Sequence, residues 1–256
     1  MRKLLATLLV SASTLILAAA PAAANHSWGN YHWARQTPTF SLRLADHMTN
    51  GSGPYAWKPK LLNASSDWSQ SSVLDTNIFG STITKNCKAV SRQVDVCNGR
   101  YGYNGWLGIA QIWISGSHIT AGTVKANDTY LANTTRYKDP ARQHVLCQEV
   151  GHTLGLDHQD ESGADLDTCM DYSDKLDNPH PNAHDYQQLE TIYKSHTDST
   201  TTATSSTATS GAKGRVKRVK HDLYVEDFGN GNKRFVWVHW KDKAASEAAP
   251  KDRTPE

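Results

Sequence analysis

From Asp139 to His158 the chain reads DPARQHVLCQEVGHTLGLDH, a stretch that leaves few arrangements open. Asp139-Pro140 offers a capping acid with proline at the first helical position, so the spacing predicts a helix over 140–154. Leu146, Val150 and Leu154 recur at helical spacing and must meet a core. Gln148 and His152, four residues apart, share another face, and Glu149 projects into the same cleft. Gly155 can adopt the left-handed conformation that stops the helix and turns the chain sharply, which brings His158 back toward His152. A fold that accommodates this segment buries one side of a helix while directing two imidazoles and a carboxylate toward one point.

The chain around it has the marks of an exported protein. Arg2 and Lys3, an apolar run from Leu4 to Ala20 and Ala22-Ala23-Ala24 form a secretory signal over residues 1–24, so the mature chain is expected to begin at Asn25 and to be extracellular. The apolar run is short for a membrane span and is interrupted by Thr7, Ser11, Ser13 and Thr14; no membrane association is expected after cleavage. Without Arg2 and Lys3 the basic residues equal the 25 acids in number, which removes any global attraction to nucleic acid or anionic lipid. Four cysteines, an even number in an oxidising compartment, argue for two disulfides; three connectivities are open, and Cys87–Cys97 with Cys147–Cys169 is the expected one, against the alternative of free buried thiols.

Residues 195–213, SHTDSTTTATSSTATSGAK, contain no apolar residue larger than alanine and read as a linker. It separates a domain spanning 25–194 from a C-terminal unit, 214–256, in which Gly229-Asn230-Gly231-Asn232 lies between two apolar-rich strands as a hairpin turn. An isolated hairpin is marginal in water, so this one is expected to dock. Arg215, Lys217, Arg218 and Lys220 read as a solvated strand face. Within the main domain, strands are expected near Thr39, from Ser71 and over 106–114, an edge strand over 118–128, and helices over 55–65 and 182–193. Strands first and helices later argue for an α+β fold.

Glu149-x-x-His152-x-x-Gly155-x-x-His158, with Thr168-Cys169-Met170-Asp171-Tyr172-Ser173 downstream, resembles the metzincin clan of zinc endopeptidases, whose signature is H-E-x-x-H-x-x-G-x-x-H and a methionine-containing turn. The likeness covers about residues 36–194 and departs from the pattern at Gln148, where the clan has its first histidine. It implies a twisted, mostly parallel sheet with an edge strand, an active-site helix and a C-terminal helix. It also implies a zinc ion held by Gln148, His152 and His158, Glu149 as general base toward a metal-activated water, Met170 as the floor of the site and Tyr172 as a further catalytic group. A protein or peptide substrate, added as a strand to the 118–128 edge, and a monomeric enzyme follow from the same resemblance.

Gln148 decides how far that expectation extends. Its amide oxygen stands as many bonds beyond Cβ as the distal nitrogen of histidine and can reach a metal, although a neutral oxygen is a poorer zinc donor. His144 lies eight residues from His152, about 12 Å along a helix axis, too far to share its ion, and reads as a surface or outer-sphere residue. Two other readings stand beside the peptidase: a secreted binding protein that keeps the shell of the site after losing turnover, and a calcium site on Asp157, Asp160, Glu161, Asp165 and Asp167, whose spacing lacks the alternation of an EF-hand loop.

Overall fold

The computed structural model describes residues 26–173, 175–199 and 214–255; the signal segment and most of the Ser/Thr-rich linker lie outside the described residues. A nine-stranded sheet runs through the molecule. Its first part contains β1 (His32–Trp33), β2 (Phe40–Asp46), β3 (Leu74–Gly80), β4 (Gln93–Gly99), β5 (Trp106–Ser115) and β6 (His118–Asn127). β2–β3, β2–β4, β4–β6 and β1–β6 pair in parallel, whereas β5 pairs antiparallel with β6. Three helices cover or border this part: α1 (Trp57–Trp68), the single turn α2 (Asp128–Leu131) and α3 (Asp139–Thr153). α4 (Ala183–Tyr193) follows, then β7 (Arg215–Arg218), β8 (Leu223–Gly229), β9 (Asn232–Trp240) and the short α5 (Lys243–Ala248). The fold is thus mixed α and β. No helix among the described residues is long and apolar enough to cross a membrane.

α3 is buried along almost its whole length, from Ala141 to Thr153. Trp57, Leu61, Ala64 and Trp68 of α1 recur at helical spacing and are buried with Leu146, Val150 and Leu154 in one core. Asp139 sits one residue inside the helix rather than capping it; the N-cap is Lys138. Its carboxylate instead receives Lys60 Nζ and Arg142 Nη2, each at 2.6 Å. α4 has the reciprocal cap absent from α3: the Asn182 side chain takes the amides of His184 and Asp185, and Asp185 takes the amide of Asn182.

One strand expectation changes and one is met. The segment 118–128 is no edge: β6 lies between β4 and β5 and also receives β1. The tight turn after β5 folds β6 back into the sheet interior, so β5 becomes the outer strand of this part. That strand is in turn covered, because β9 pairs with it from Trp106↔Trp240 to Ser115↔Asn232. The hairpin β8–β9 therefore continues the main sheet. Its turn is the expected one, with Gly229, Asn230 and Gly231 all at positive φ.

Both expected disulfides are formed, Cys87–Cys97 and Cys147–Cys169, with Cα–Cα distances of 5.9 and 6.0 Å. Their presence fits an oxidising compartment. Cys147–Cys169 ties α3 to the loop that carries Met170. Asn127, which opens the glycosylation triplet Asn127-Asp128-Thr129, is fully buried, and its side chain bonds Gly102, Asn104 and Trp106.

Candidate metal centre

The end of α3 is shaped by two glycines. Gly155 has φ +99°, and a side chain there would come within 2.9 Å of the Tyr31 carbonyl oxygen, so both backbone conformation and space demand glycine. The turn returns His158 to His152; their ring centroids lie 4.8 Å apart at 78°. Gly151, inside the helix, leaves room for Met170 and Trp68: a Cβ would stand 2.5 Å from the Met170 sulfur and 2.6 Å from the Trp68 ring. Met170 is completely buried beneath the helix turn that carries His152.

Each motif imidazole is held through Nδ1. His152 Nδ1 donates to the Leu156 carbonyl at 3.0 Å, and His158 Nδ1 lies 3.0 Å from Asp222 Oδ2. These contacts direct the proton to Nδ1 and leave Nε2 of both rings as the available lone pair, the arrangement usual for metal-binding histidines. Burial pushes His152 down to about 3, with the neighbouring His158 adding to the effect. Burial alone would lower His158 too, but the hydrogen bond and charge of Asp222 outweigh it and raise it.

Glu149 and His144 are both buried without a hydrogen bond of good geometry to either side-chain polar atom. Glu149 is 1 % exposed and lies against Gly108 of β5, where a Cβ would be 2.6 Å from Oε1. Burial raises its proton affinity well above the ordinary carboxylate range, the charge of Asp222 adds to this, and the Ala110 backbone eases it only in part. A buried carboxyl without partners costs several kilocalories per mole if ionised, so it needs a positive charge or a proton.

Gln148 has a definite role in this arrangement. Its Nε2 donates to the carbonyls of Cys169 at 2.8 Å and Asp171 at 3.0 Å. That fixes the amide orientation, so Oε1 must accept, and it does so from His239 Nδ1 at 2.6 Å. One lone pair of the oxygen is therefore committed to the hairpin. His239 in turn keeps a bare Nε2 and is held far toward the neutral form by burial and by the nearby His144, His158 and His152. His144 is fully buried beside it, ring centroids 5.7 Å apart, and burial lowers it to about 4; of the two places expected for it, surface or outer sphere, the surface is ruled out, because β9 covers that side of the helix.

The hairpin contributes three groups that the motif does not contain. Trp237 stacks on His152 with 5.1 Å between centroids and 10° between planes. Asp222 orients His158, and His239 meets Gln148. They stand beyond a segment that reads as a linker, which hides them from local patterns. One signal was present: in β9 the alternation places His239 on the buried face with Phe235 and Trp237, an unusual position for an imidazole without a task. Tyr172, half-buried, has its ring 5.0 Å from His158 and 4.2 Å from His221. A cavity of ≈ 660 Å³ opens over the site and is lined by Gln148, His158, Tyr172, His221, His239 and Trp240 among others.

The acids considered for calcium are mostly engaged by protein donors. Lys220 pairs with Asp157 and Glu161, Lys175 and Asn178 with Asp165, and Ser162 with Asp160. Lys220 is thus an internal partner, whereas Arg215 and Lys217 are exposed as expected. Among the described residues, two groups bring three metal-ligating atoms within 4.8 Å of one another: His26, His184 and Asp185, and His32, His118 and Asp198. Neither belongs to the motif, where two imidazoles approach each other and the third position is taken by the Gln148–His239 pair. Compared with known proteins, no family model matches the chain, and no curated protein is significantly similar to it.

Proposed function

We propose that the chain is a secreted zinc-dependent endopeptidase whose cleft is bordered by its own C-terminal hairpin. The observation that carries this reading is the turn at Gly155, which sets the His158 ring against that of His152, each held through Nδ1, with buried Glu149 one helical turn before His152 and with His158 lining a cavity large enough for a peptide side chain. The donor chemistry fits zinc at His152 and His158, with the third donor drawn from Gln148 and the His239 bonded to it. When bound, zinc supplies Lewis acidity to a water and to the scissile carbonyl. Glu149 then takes the proton of the attacking water and returns it to the leaving nitrogen. Burial and the charge of Asp222 hold the metal-free carboxyl toward its protonated form, and a bound cation beside it would favour the carboxylate that the first step needs. Tyr172, whose ring lies alongside His158, would donate to the developing oxyanion.

Substrate addition to an open strand edge has no support, because β6 is internal and β9 occupies β5 along its length. A substrate would instead enter through the cavity between the Met170 loop and the hairpin. The covered β5 also favours a second reading, a zinc-binding protein without turnover.

The test is hydrolysis of an unfolded protein by the full chain with and without chelator, alongside the zinc content of wild type, Glu149→Gln and His158→Gln. Peptidase chemistry requires chelator-sensitive hydrolysis, at least 100-fold loss in Glu149→Gln with zinc content unchanged, and in His158→Gln the loss of hydrolysis together with one equivalent of zinc. One equivalent of zinc that depends on His158, without hydrolysis in the wild type, selects the second reading. Hydrolysis that survives Glu149→Gln refutes the mechanism.

A further inference from the structure

We infer that a second zinc site, separate from the motif and structural in character, is formed by His32, His118, His196 and Asp198. β1 and β6 pair in parallel with His32 directly opposite His118, which sets the two imidazoles side by side. Their centroids are 5.0 Å apart and their planes perpendicular. After α4 the chain returns over this point because Arg35, fully buried, collects the carbonyls of Tyr193 and His196 through Nη2. The Asp198 amide donates to the Arg35 carbonyl at 2.7 Å. His196 is brought against His32, centroids 4.5 Å apart at 84°.

Four ligand atoms meet there. Asp198 Oδ1 lies 3.2 Å from His32 Nε2, 3.0 Å from His118 Nε2 and 3.9 Å from His196 Nε2, and the two Nε2 atoms of His32 and His196 are 3.1 Å apart. A tetrahedral zinc with bonds of about 2.0–2.1 Å separates its ligands by roughly 3.3–3.4 Å; the ligand atoms of His32, His118 and Asp198 lie within 4.8 Å of one another, and His196, exposed and next to His32 and Asp198 but outside that group, would complete the set by a turn of its side chain. The orientations of His32 and Asp198 fit as well. His32 Nδ1 donates to the Asn30 carbonyl at 2.6 Å, so Nε2 is a lone pair in the neutral ring. Asp198 Oδ2 is occupied by the Arg35 amide at 3.0 Å and by Arg35 Nη1 at 3.4 Å, which turns Oδ1 toward the rings.

Without a cation, the His32 lone pair, even with His196 Nε2–H donating to it, faces the Asp198 carboxylate oxygen at 3.2 Å, one acceptor against another. A divalent ion relieves it at all four atoms simultaneously. Three imidazole nitrogens and one carboxylate oxygen fill a tetrahedron, which leaves no open position for substrate and marks the site as structural. It would clamp the first described strand, the β5–β6 turn and the segment after α4, which are distant in sequence. The other convergent group, His26, His184 and Asp185, is less suited: its two rings are stacked at 15° between planes, so their in-plane lone pairs do not converge.

The test is zinc per chain in the purified full-length protein, equilibrated with Zn2+ and desalted, for wild type, His118→Gln and His196→Gln. Both positions are partly exposed, so folding is not at stake. Each variant is expected to lose one equivalent relative to wild type, whatever the motif site holds, and chelator is expected to lower the Tm of wild type more than that of either variant. X-ray absorption of zinc-loaded His158→Gln, which weakens the motif site, should show three imidazole nitrogens and one oxygen at about 2.0–2.1 Å. Unchanged stoichiometry in both variants, or a wild type that binds no zinc, overturns the inference. Failure of the peptidase reading leaves the one-equivalent loss intact.

Discussion

Glycine inside a helix costs about 1 kcal/mol relative to alanine, so Gly151→Ala would ordinarily stabilise the protein by that amount. The packing around α3 predicts the opposite. The new methyl carbon would lie 2.5 Å from the Met170 sulfur and 2.6 Å from Trp68 Cζ2, with Trp68 Cη2 at 3.2 Å. Both neighbours are fully buried, so each must retreat by about 1 Å into atoms already in contact at native packing density. Met170 is flexible, but the indole is anchored by its Nε1–H to the Cys147 carbonyl at 3.1 Å. Overpacking of this kind costs about 1–3 kcal/mol, and two simultaneous clashes place it at the upper end. Set against the gain in helix propensity, the net loss is about 2 kcal/mol. Urea unfolding should show a midpoint lowered by about 1 M with the slope unchanged. Combining Gly151→Ala with Met170→Ala should give a coupling of about 1 kcal/mol or more, because the second truncation makes room for the first. A midpoint that rises in the single variant would refute the packing of Met170 and Trp68 beneath His152.

Two further outcomes follow from the same region. Replacing Cys147 and Cys169 together by serine opens a loop spanning 22 residues and should cost about 3 kcal/mol in chemical denaturation; a loss below about 1 kcal/mol would show that the bridge adds little to the anchoring of the Met170 loop. Asp185 is buried, and that burial, partly offset by hydrogen bonds from Thr168 and Asn182, raises it to about 6. Because the folded protein holds this proton more tightly than the ordinary value of 3.8, its contribution favours folding at pH 4 and is lost as pH rises toward 6, by about 3 kcal/mol. Its Oδ1 lies 3.5 Å from His26 Nε2. The His26 ring already donates through Nδ1 to the Asp157 carbonyl, so an amide NH2 suits Nε2 better than a carboxylate does. Asp185→Asn should therefore be more stable than wild type at pH 7.5 and equal to it at pH 4, measured by unfolding across that range; a variant less stable at pH 7.5 with the same pH slope would contradict the assignment.

Much of the site was legible because its determinants are local. Helix periodicity, a proline in the first turn, a left-handed glycine and a loop methionine are set within about 35 residues, and they return His158 to His152 and set Met170 against Gly151 of the helix. The turn at Gly229–Asn232 was readable for the same reason. Strand order was not, since pairing is decided between segments far apart: the 118–128 strand has the alternation of an edge but gains β4 on one side and β5 on the other. The partners of the motif failed to show for a related reason. Asp222 and His239 come from beyond residues 195–213, and nothing near them marks their proximity to α3. His196 and Asp198 fall inside that polar stretch, where composition predicts no packing, yet buried Arg35 gathers them against the body.

The pairing of β9 with β5 moves the boundary of the sheet outward by three strands, to β7. Any unpaired boundary strand is a template on which a second molecule can build, and a ten-residue apolar strand such as β5 would be an inviting one. What is presented instead is four residues, Arg-Val-Lys-Arg, with Arg215 and Lys217 pointing into water. Two copies meeting there would bring like charges into register. By donating its own hairpin, the chain exchanges a sticky border for a short, charged one, whatever the cleft holds.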